Sequence, residues 1–308
     1  MATTCTKSRA LDFGPSDPAT FKVCSFLVNV LSQMYEQWEN AKFPQPSWGV
    51  PFNWQPANCP CQVTKNFVVG DYQFWPLIWS SFNPGNKLGM VTEPFGAIVQ
   101  HQEPGGNVSF YLVFRGSKSD ADFAADFETL PMAYTAPTPN PPSDIQVGTG
   151  WYAVYNGLLE ALRINLQQVV KAGGKLLTIT GHSLGSTLAT LAVAEAVAQS
   201  LQVRHYNSAS PKVGQSSFKT YYDSLVVPSS STAPGLLETY RLVNVADVVP
   251  NFPLLHDYVH VGTQVSFNAN YGNEVKTHDP CCSYAYAIYN PERPCNPDYD
   301  GCAGNDKK

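Results

Sequence analysis

Charge is scarce in this chain: Asp, Glu, Lys and Arg make up only 14% of 308 residues and leave a formal net charge of −5. Lysine and arginine never gather into a run, which argues against nucleic acid as a partner, since phosphate binding needs concentrated positive charge. Long apolar stretches are missing too. The longest candidate, Phe26 to Leu31, is broken by Asn29, so no transmembrane segment is expected. The opening Met-Ala-Thr-Thr-Cys-Thr-Lys lacks the basic and apolar regions of a secretory leader. The protein is therefore expected either to stay in the cytoplasm or to have had a leader removed. Cysteine is absent from the whole middle of the chain. All eight fall in the flanks, at Cys5, Cys24, Cys59 and Cys61 and at Cys281, Cys282, Cys295 and Cys302. An even number confined to the ends reads as disulfide staples around a cysteine-free core, which favours an oxidising compartment or secretion. The competing arrangement, a metal held by Cys59, Cys61, Cys281 and Cys282, lacks the Cys-x₂-Cys spacing of a zinc knuckle, so no metal is expected.

What is present is enough apolar material for a sizeable core, 44% hydrophobic and 12% aromatic residues. Residues 18 to 41 read as an amphipathic helix, with Phe21, Cys24, Leu27, Leu31, Met34 and Trp38 near one face. From Phe43 to Cys61 the chain is rich in Pro, Trp and Asn and reads as irregular surface structure. Strands are expected at Ala97 to Gln100 and Val108 to Phe114, joined by the turn Pro104-Gly105-Gly106-Asn107. A stiff Pro-rich loop covers 136 to 144, and a helix follows from about Trp151 to Lys171, ended by Gly173-Gly174. Further strands are expected at Val203 to Asn207, Thr239 to Val245 and Tyr258 to Phe267, with a polar loop at 228 to 235. Strands alternating with helices predict an α/β fold with a mostly parallel central sheet and helices on both faces. No repeat or linker divides the chain, so residues 1–308 read as one domain, with segment 1–62 packed on a core of about 95–290.

The chemistry is concentrated where the run Leu176-Leu177-Thr178-Ile179-Thr180 ends in Gly181-His182-Ser183-Leu184-Gly185 and small helix-forming residues follow. A strand, a sharp turn and a helix in that order would hold Ser183 in a strained conformation at the head of a helix, where backbone N–H groups favour developing negative charge. A serine hydroxyl needs a base, and the base needs an orienting group. Asp247, at the end of the strand Tyr240-Arg241-Leu242-Val243-Asn244-Val245, is the carboxylate expected to orient it. His101 and His205 lie in or before early elements, and His182 adjoins the serine but is expected to point away from it. Three later histidines remain as base: His256 on a short connection, His260 within a strand, and His278 in a turn that can fold back over the serine.

Four blocks in order resemble the class 3 lipases, the fungal-lipase-like branch of the α/β-hydrolases. They are Val113-Phe114-Arg115-Gly116-Ser117, Gly181 to Gly185, Ser208-Ala209-Ser210-Pro211-Lys212-Val213-Gly214, and Arg241 to Pro250. The resemblance covers roughly residues 95 to 290 and implies an α/β-hydrolase fold. It makes His260, in Tyr258-Val259-His260-Val261-Gly262, the family's structural histidine and so supports His278 as base. It implies an oxyanion hole from Ser117 and the N–H of Leu184, and a lid over Lys118 to Met132 that carries Phe123 and Phe127. Val249, Phe252, Leu254 and Leu255, just after Asp247, are expected to join Phe123 and Phe127 in lining an acyl site. The activity implied is hydrolysis of acylglycerol or related lipid esters at a lipid–water interface, without a cofactor. A phospholipase A1, a feruloyl-type esterase and a non-catalytic binding protein on the same scaffold are the alternatives. Three positions depart from the family pattern: Ser186 replaces a second glycine, Phe123 a frequent lid tryptophan, and Ser208-Ala209-Ser210-Pro211 a Phe-Gly-Ser-Pro strand end.

Overall fold

A computed structural model describes residues 5, 8–41, 61–64, 67–83, 90–117, 130–139, 141–254 and 256–302. Most of the Pro- and Trp-rich stretch and residues 118–129 of the expected lid lie outside them. The main sheet is built from β1 (Ser8–Asp12), β2 (Tyr72–Phe74), β3 (Ile78–Phe82), β4 (Val91–Gln102), β5 (Val108–Phe114), β8 (Leu176–His182), β9 (Gln202–Ser208), β11 (Gly235–Asn244) and β13 (Thr263–Ala269). Its order is β1-β13-β11-β9-β8-β5-β4-β2, with β3 paired to β4. The five central strands, from β13 through to β5, run parallel, and the pairs at either side are antiparallel. A smaller antiparallel sheet has the order β12-β10-β7-β6, from β6 (Pro131–Ala133), β7 (Gln146–Gly148), β10 (Gly214–Gln215) and β12 (Tyr258–Val259).

Side-chain alternation decides how the main sheet is covered, because successive residues of a strand face opposite sides. Phe110, Leu112 and Phe114 of β5 enter one core together with Leu177 and Ile179 of β8, whereas Tyr111 and Val113 enter another. Helices α2 (Thr149–Lys171) and α3 (Leu184–Ala198) close the first core. Helix α1 (Pro18–Ala41), which takes up the expected span, closes the second with Phe26, Leu27, Leu31 and Met34. Ala189, Ala192, Ala194 and Ala196 are all buried in α3, so its small side chains let it lie close to the sheet. This is the α/β-hydrolase arrangement that the motifs implied.

Three expected elements have clearly different bounds, the first being β4, which begins at Val91 and not at Ala97. The polar loop ends earlier than expected and β11 begins at Gly235, which pairs with Gln202 of β9. The strand expected from Tyr258 to Phe267 is two strands in two sheets, because Gly262, at φ 70°, turns the chain between β12 and β13. His260 therefore lies between strands rather than in one.

Disulfides join Cys5 to Cys295 and Cys61 to Cys281, which link the two flanks, and Cys282 to Cys302 within the later one. Cys24 takes no part in a staple. It is free and buried where α1 packs on the sheet, and burial pushes its thiol pKa up to about 12. Cys59 lies outside the described residues.

Two histidines are held neutral inside the fold. His205 is fully buried against the Tyr222 hydroxyl, 2.7 Å from Nδ1, and burial, then the charge of Arg241, brings its pKa down to about 3. Burial and then Arg241 lower His260 to about 3 as well. Unfolded, both would titrate near ~6.5. Between these values the unfolded chain binds protons that the folded one refuses. Their contribution to stability is therefore whole above about pH 6.5 and is lost as pH falls toward the folded values. Thermal unfolding followed from pH 7.5 to 4.5 should show a falling Tm, with a shallower fall in His205→Gln. An equal slope in both proteins would contradict this account.

Candidate active site

Ser183 sits between β8 and α3 with φ 55° and ψ −127°, a strained conformation for a residue with a side chain. Two glycines make the turn possible. A methyl group at Gly181 would collide with the Gly185 carbonyl, and one at Gly185 with the carbonyl of Arg115. Strand, helix and the loop after β5 thus meet at backbone contact. Ser186, the departure from a second glycine, turns its hydroxyl back onto the Ser183 carbonyl and so ties down the first turn of α3. Ser183 is fully buried, and its Oγ has no hydrogen-bond partner among the described residues.

Asp247 follows the end of β11 and is 2% exposed. Its Oδ1 accepts the Val249 N–H at 3.0 Å. Its Oδ2 lies 2.7 Å from His278 Nδ1 and also accepts the Tyr284 hydroxyl at 2.7 Å. His278 ends the short helix α4 (Glu274–His278), and Tyr284 lies in the π-helix Pro280–Ala285 that follows. Of the three candidate histidines, this is the one paired with the carboxylate. His260 instead meets the Pro250 carbonyl through Nε2 at 2.8 Å and so fastens the chain just beyond Asp247. His256 is an exposed turn residue at φ 67°, whose carbonyl accepts from Gln215.

Sequence reasoning missed two neighbours of the pair. Tyr284 lies in none of the motif blocks, yet its hydroxyl also accepts the Asn244 N–H at 3.1 Å and so couples Asp247 to β11. His182 does not point away from the site as expected. Its ring lies 4.7 Å from that of His278 and 5.2 Å from that of Tyr284. Ser208, where the family pattern has an aromatic residue, places its Oγ 2.9 Å from His182 Nδ1. Burial first, and then the nearby charge of His278, hold the His182 pKa well below its ordinary value, so the ring stays neutral. The pairing of His182 with Ser208 across β8 and β9 was a possible signal, visible only once the strand register is known.

Leu184 follows the serine in the chain, and Gly116, just before Ser117, lies beside it. Ser117 lies two residues beyond Arg115 at the end of β5, and its buried Oγ has no partner among the described residues. Leu184 opens α3, where the first N–H groups have no partner within the helix. The expected acyl-site residues are less uniform. Val249 is buried in the main core, Phe252 is half-buried, and Leu254 is 71% exposed. Leu255, Phe123 and Phe127 lie outside the described residues. The one cluster of metal-ligating side chains among the described residues, Cys281, Cys282 and Cys302, has all its sulfurs in disulfides.

The class 3 lipase family model matches residues 111–256, which bears out the resemblance read from the motif blocks. A phospholipase A1-II 1 of Oryza sativa is 29% identical over 252 residues, covering 73% of this chain and 60% of the relative. The lipase of Rhizomucor miehei is 28% identical over 163 residues, 51% of this chain and 41% of the relative. The chain thus spans about half the length of the curated relatives it matches. Among solved structures, the native Rhizomucor miehei lipase propeptide complex superposes with TM-score 0.57 at 20% identity, over 86% of this chain and 72% of that one. A lipase from Rhizopus microsporus var. chinensis gives TM-score 0.55 at 18% identity, over 96% and 89%.

Tyr284→Phe deletes one donor to a buried carboxylate and leaves its shape otherwise unchanged. Hydrogen bonds to charged groups contribute about 1.5–3 kcal/mol, so denaturant titration should show a loss of that order. A variant as stable as the parent would mean that the Tyr284 bond does not hold Asp247 in the folded state.

Proposed function

From the class 3 lipase match over residues 111–256, we propose that the protein is a serine ester hydrolase acting on acylglycerols or related lipid esters. The observation that carries this reading is the buried Asp247–His278 pair, 2.7 Å apart, in a fold that holds a strained and buried serine at the head of α3. With Nδ1 of His278 engaged by Asp247, Nε2 is the nitrogen that takes the proton from Ser183 Oγ. The alkoxide attacks the ester carbonyl, and the carbonyl electrons move onto the oxygen. The N–H groups of Ser117 and Leu184 receive that oxyanion, each contributing about 3 kcal/mol to lowering the barrier. His278 returns the proton to the leaving alcohol as the tetrahedral intermediate collapses to an acyl-enzyme. It then deprotonates the water that releases the acid. Asp247 keeps the imidazole in one tautomer and stabilises the imidazolium. Tyr284 and the Val249 N–H keep that carboxylate still.

The substrate side rests on different observations. Leu130 and Met132, 61% and 42% exposed, border one edge of the small sheet, and Leu254, 71% exposed, precedes the strand at its other edge. These side chains would find a better setting at a lipid–water interface, at about 1.5–3 kcal/mol for each one withdrawn from water. Among the described residues no helix is long and apolar enough to cross a membrane, so the contact proposed is peripheral. A phospholipase A1 activity is the second reading, favoured by the similarity to the rice phospholipase A1-II 1. The disulfides support an oxidising compartment, and we place the protein outside the cell on that ground.

Purified protein should hydrolyse p-nitrophenyl esters and release fatty acid from emulsified triglyceride or from phospholipid vesicles. Ser183→Ala and His278→Ala should each lower kcat by about 10⁴-fold or more, while circular dichroism stays unchanged. His260→Ala should lower stability and keep activity. Activity retained in His278→Ala but lost in His260→Ala would overturn the assignment of the base. A wild-type protein inert to every ester and to an organophosphate would return the binding-protein alternative.

A further inference from the structure

One buried cation lies next to the proposed oxyanion hole and is held more firmly than packing alone requires. Arg115, 2% exposed, donates through Nε to the Pro94 carbonyl at 2.6 Å and through Nη2 to Glu93 Oε2 at 2.7 Å. Its Nη1 donates to the Gly116 carbonyl at 2.7 Å. The guanidinium is also faced by two rings, with centroids 3.5 Å away for Tyr35 and 4.4 Å for Phe95. Pro94 and Phe95 belong to β4, and Tyr35 to α1. Three polar directions and two aromatic contacts leave the arginine little freedom, and only a planar fork can make all of them at once.

The bond to Gly116 has a geometric effect. A trans peptide is planar, so the Gly116 carbonyl and the Ser117 N–H point in opposite directions. Pinning the carbonyl toward Arg115 turns the Ser117 N–H the other way. Gly116 itself abuts the nucleophile: a Cβ built on it would stand 3.4 Å from Ser183 Cβ and 3.2 Å from the His182 carbonyl. We propose that Arg115, gripped by Tyr35 and Phe95, is a positioning residue that aims the Ser117 N–H at the oxyanion, so that α1 supports the reaction at one remove. This rests on the ester-hydrolase reading. Aim is worth having here because a donor works only if it already points where charge develops.

Three variants test it: Arg115→Lys, Tyr35→Leu and Tyr35→Phe. Each is assayed on a soluble ester per active site titrated with an organophosphate, and for affinity toward an alkylboronic acid, which bonds Ser183 Oγ and places an oxygen in the same hole. Arg115→Lys should lower kcat about 100-fold, the effect of losing one oxyanion donor, with KM unchanged and boronate affinity reduced in parallel. Tyr35→Leu should lose about tenfold in kcat, and Tyr35→Phe, which keeps the ring, should match the parent. A merely structural role would lower the titratable fraction or the Tm without changing kcat per site. Arg115→Lys with parental kcat per site, or with a raised KM alone, would overturn the proposal, as would Tyr35→Phe failing as badly as Tyr35→Leu. A wild type that hydrolyses no ester would sink the functional reading instead, and the order of boronate affinities would still decide the aiming of Ser117.

Discussion

The site depends on three backbone segments being allowed to touch. β8 ends, α3 begins and the loop after β5 passes by, all within the space that the missing side chains of Gly181 and Gly185 leave open. That contact holds Ser183 at positive φ, sets Leu184 at the helix start and lays Gly116 beside the serine. Strain of this kind costs about 1–3 kcal/mol and persists because both flanking elements are buried on nearly every side. Substituting either glycine would move all three segments together. A fault there could not be confined to one of the proposed catalytic groups.

Around this contact, polar groups are satisfied in series rather than singly. Asn244 donates its N–H to Tyr284, Tyr284 donates to Asp247, and Asp247 meets His278. Asn244 also reaches the carbonyls of Ala269 and Thr277 through its side chain, at 2.9 and 3.2 Å. One buried asparagine thereby fixes the ends of β11 and β13 and the helix that carries His278. Buried networks of this type give a single geometry when every member is paired and become costly when one is removed. The aspartate's position is therefore a property of the whole network, not of its own loop.

Much of this was legible from the chain. The elbow announces itself because a glycine-bounded turn after a β-branched run has few other uses, and the order Ser183, Asp247, His278 follows the sheet's topology. Helix α1 was legible from its apolar face, and the paired strands β4 and β5 from their turn. What stayed hidden depends on register or on distance through space. That His182 stacks on His278 follows from the pairing of β8 with β9, and no local pattern encodes it. Tyr284 reaches Asp247 only because an Asp279-capped π-helix directs it there. The break at Gly262 was overlooked because the apolar alternation continues through it, and a single positive φ outweighed that pattern.

The disulfides bear on when the site can exist as the chain is made. Cys61 bonds to Cys281, three residues beyond His278, and Cys5 bonds to Cys295. The partners are separated by 220 and 290 residues, so each bridge must wait until its later cysteine, Cys281 or Cys295, has been made. His278, proposed as the base, Tyr284 beside it, and Cys281 and Cys295 are all made well after Ser183. During synthesis the serine elbow and its helix emerge before His278 does. A chain made only as far as the helix after Ser183 therefore holds the proposed nucleophile before the group proposed to activate it.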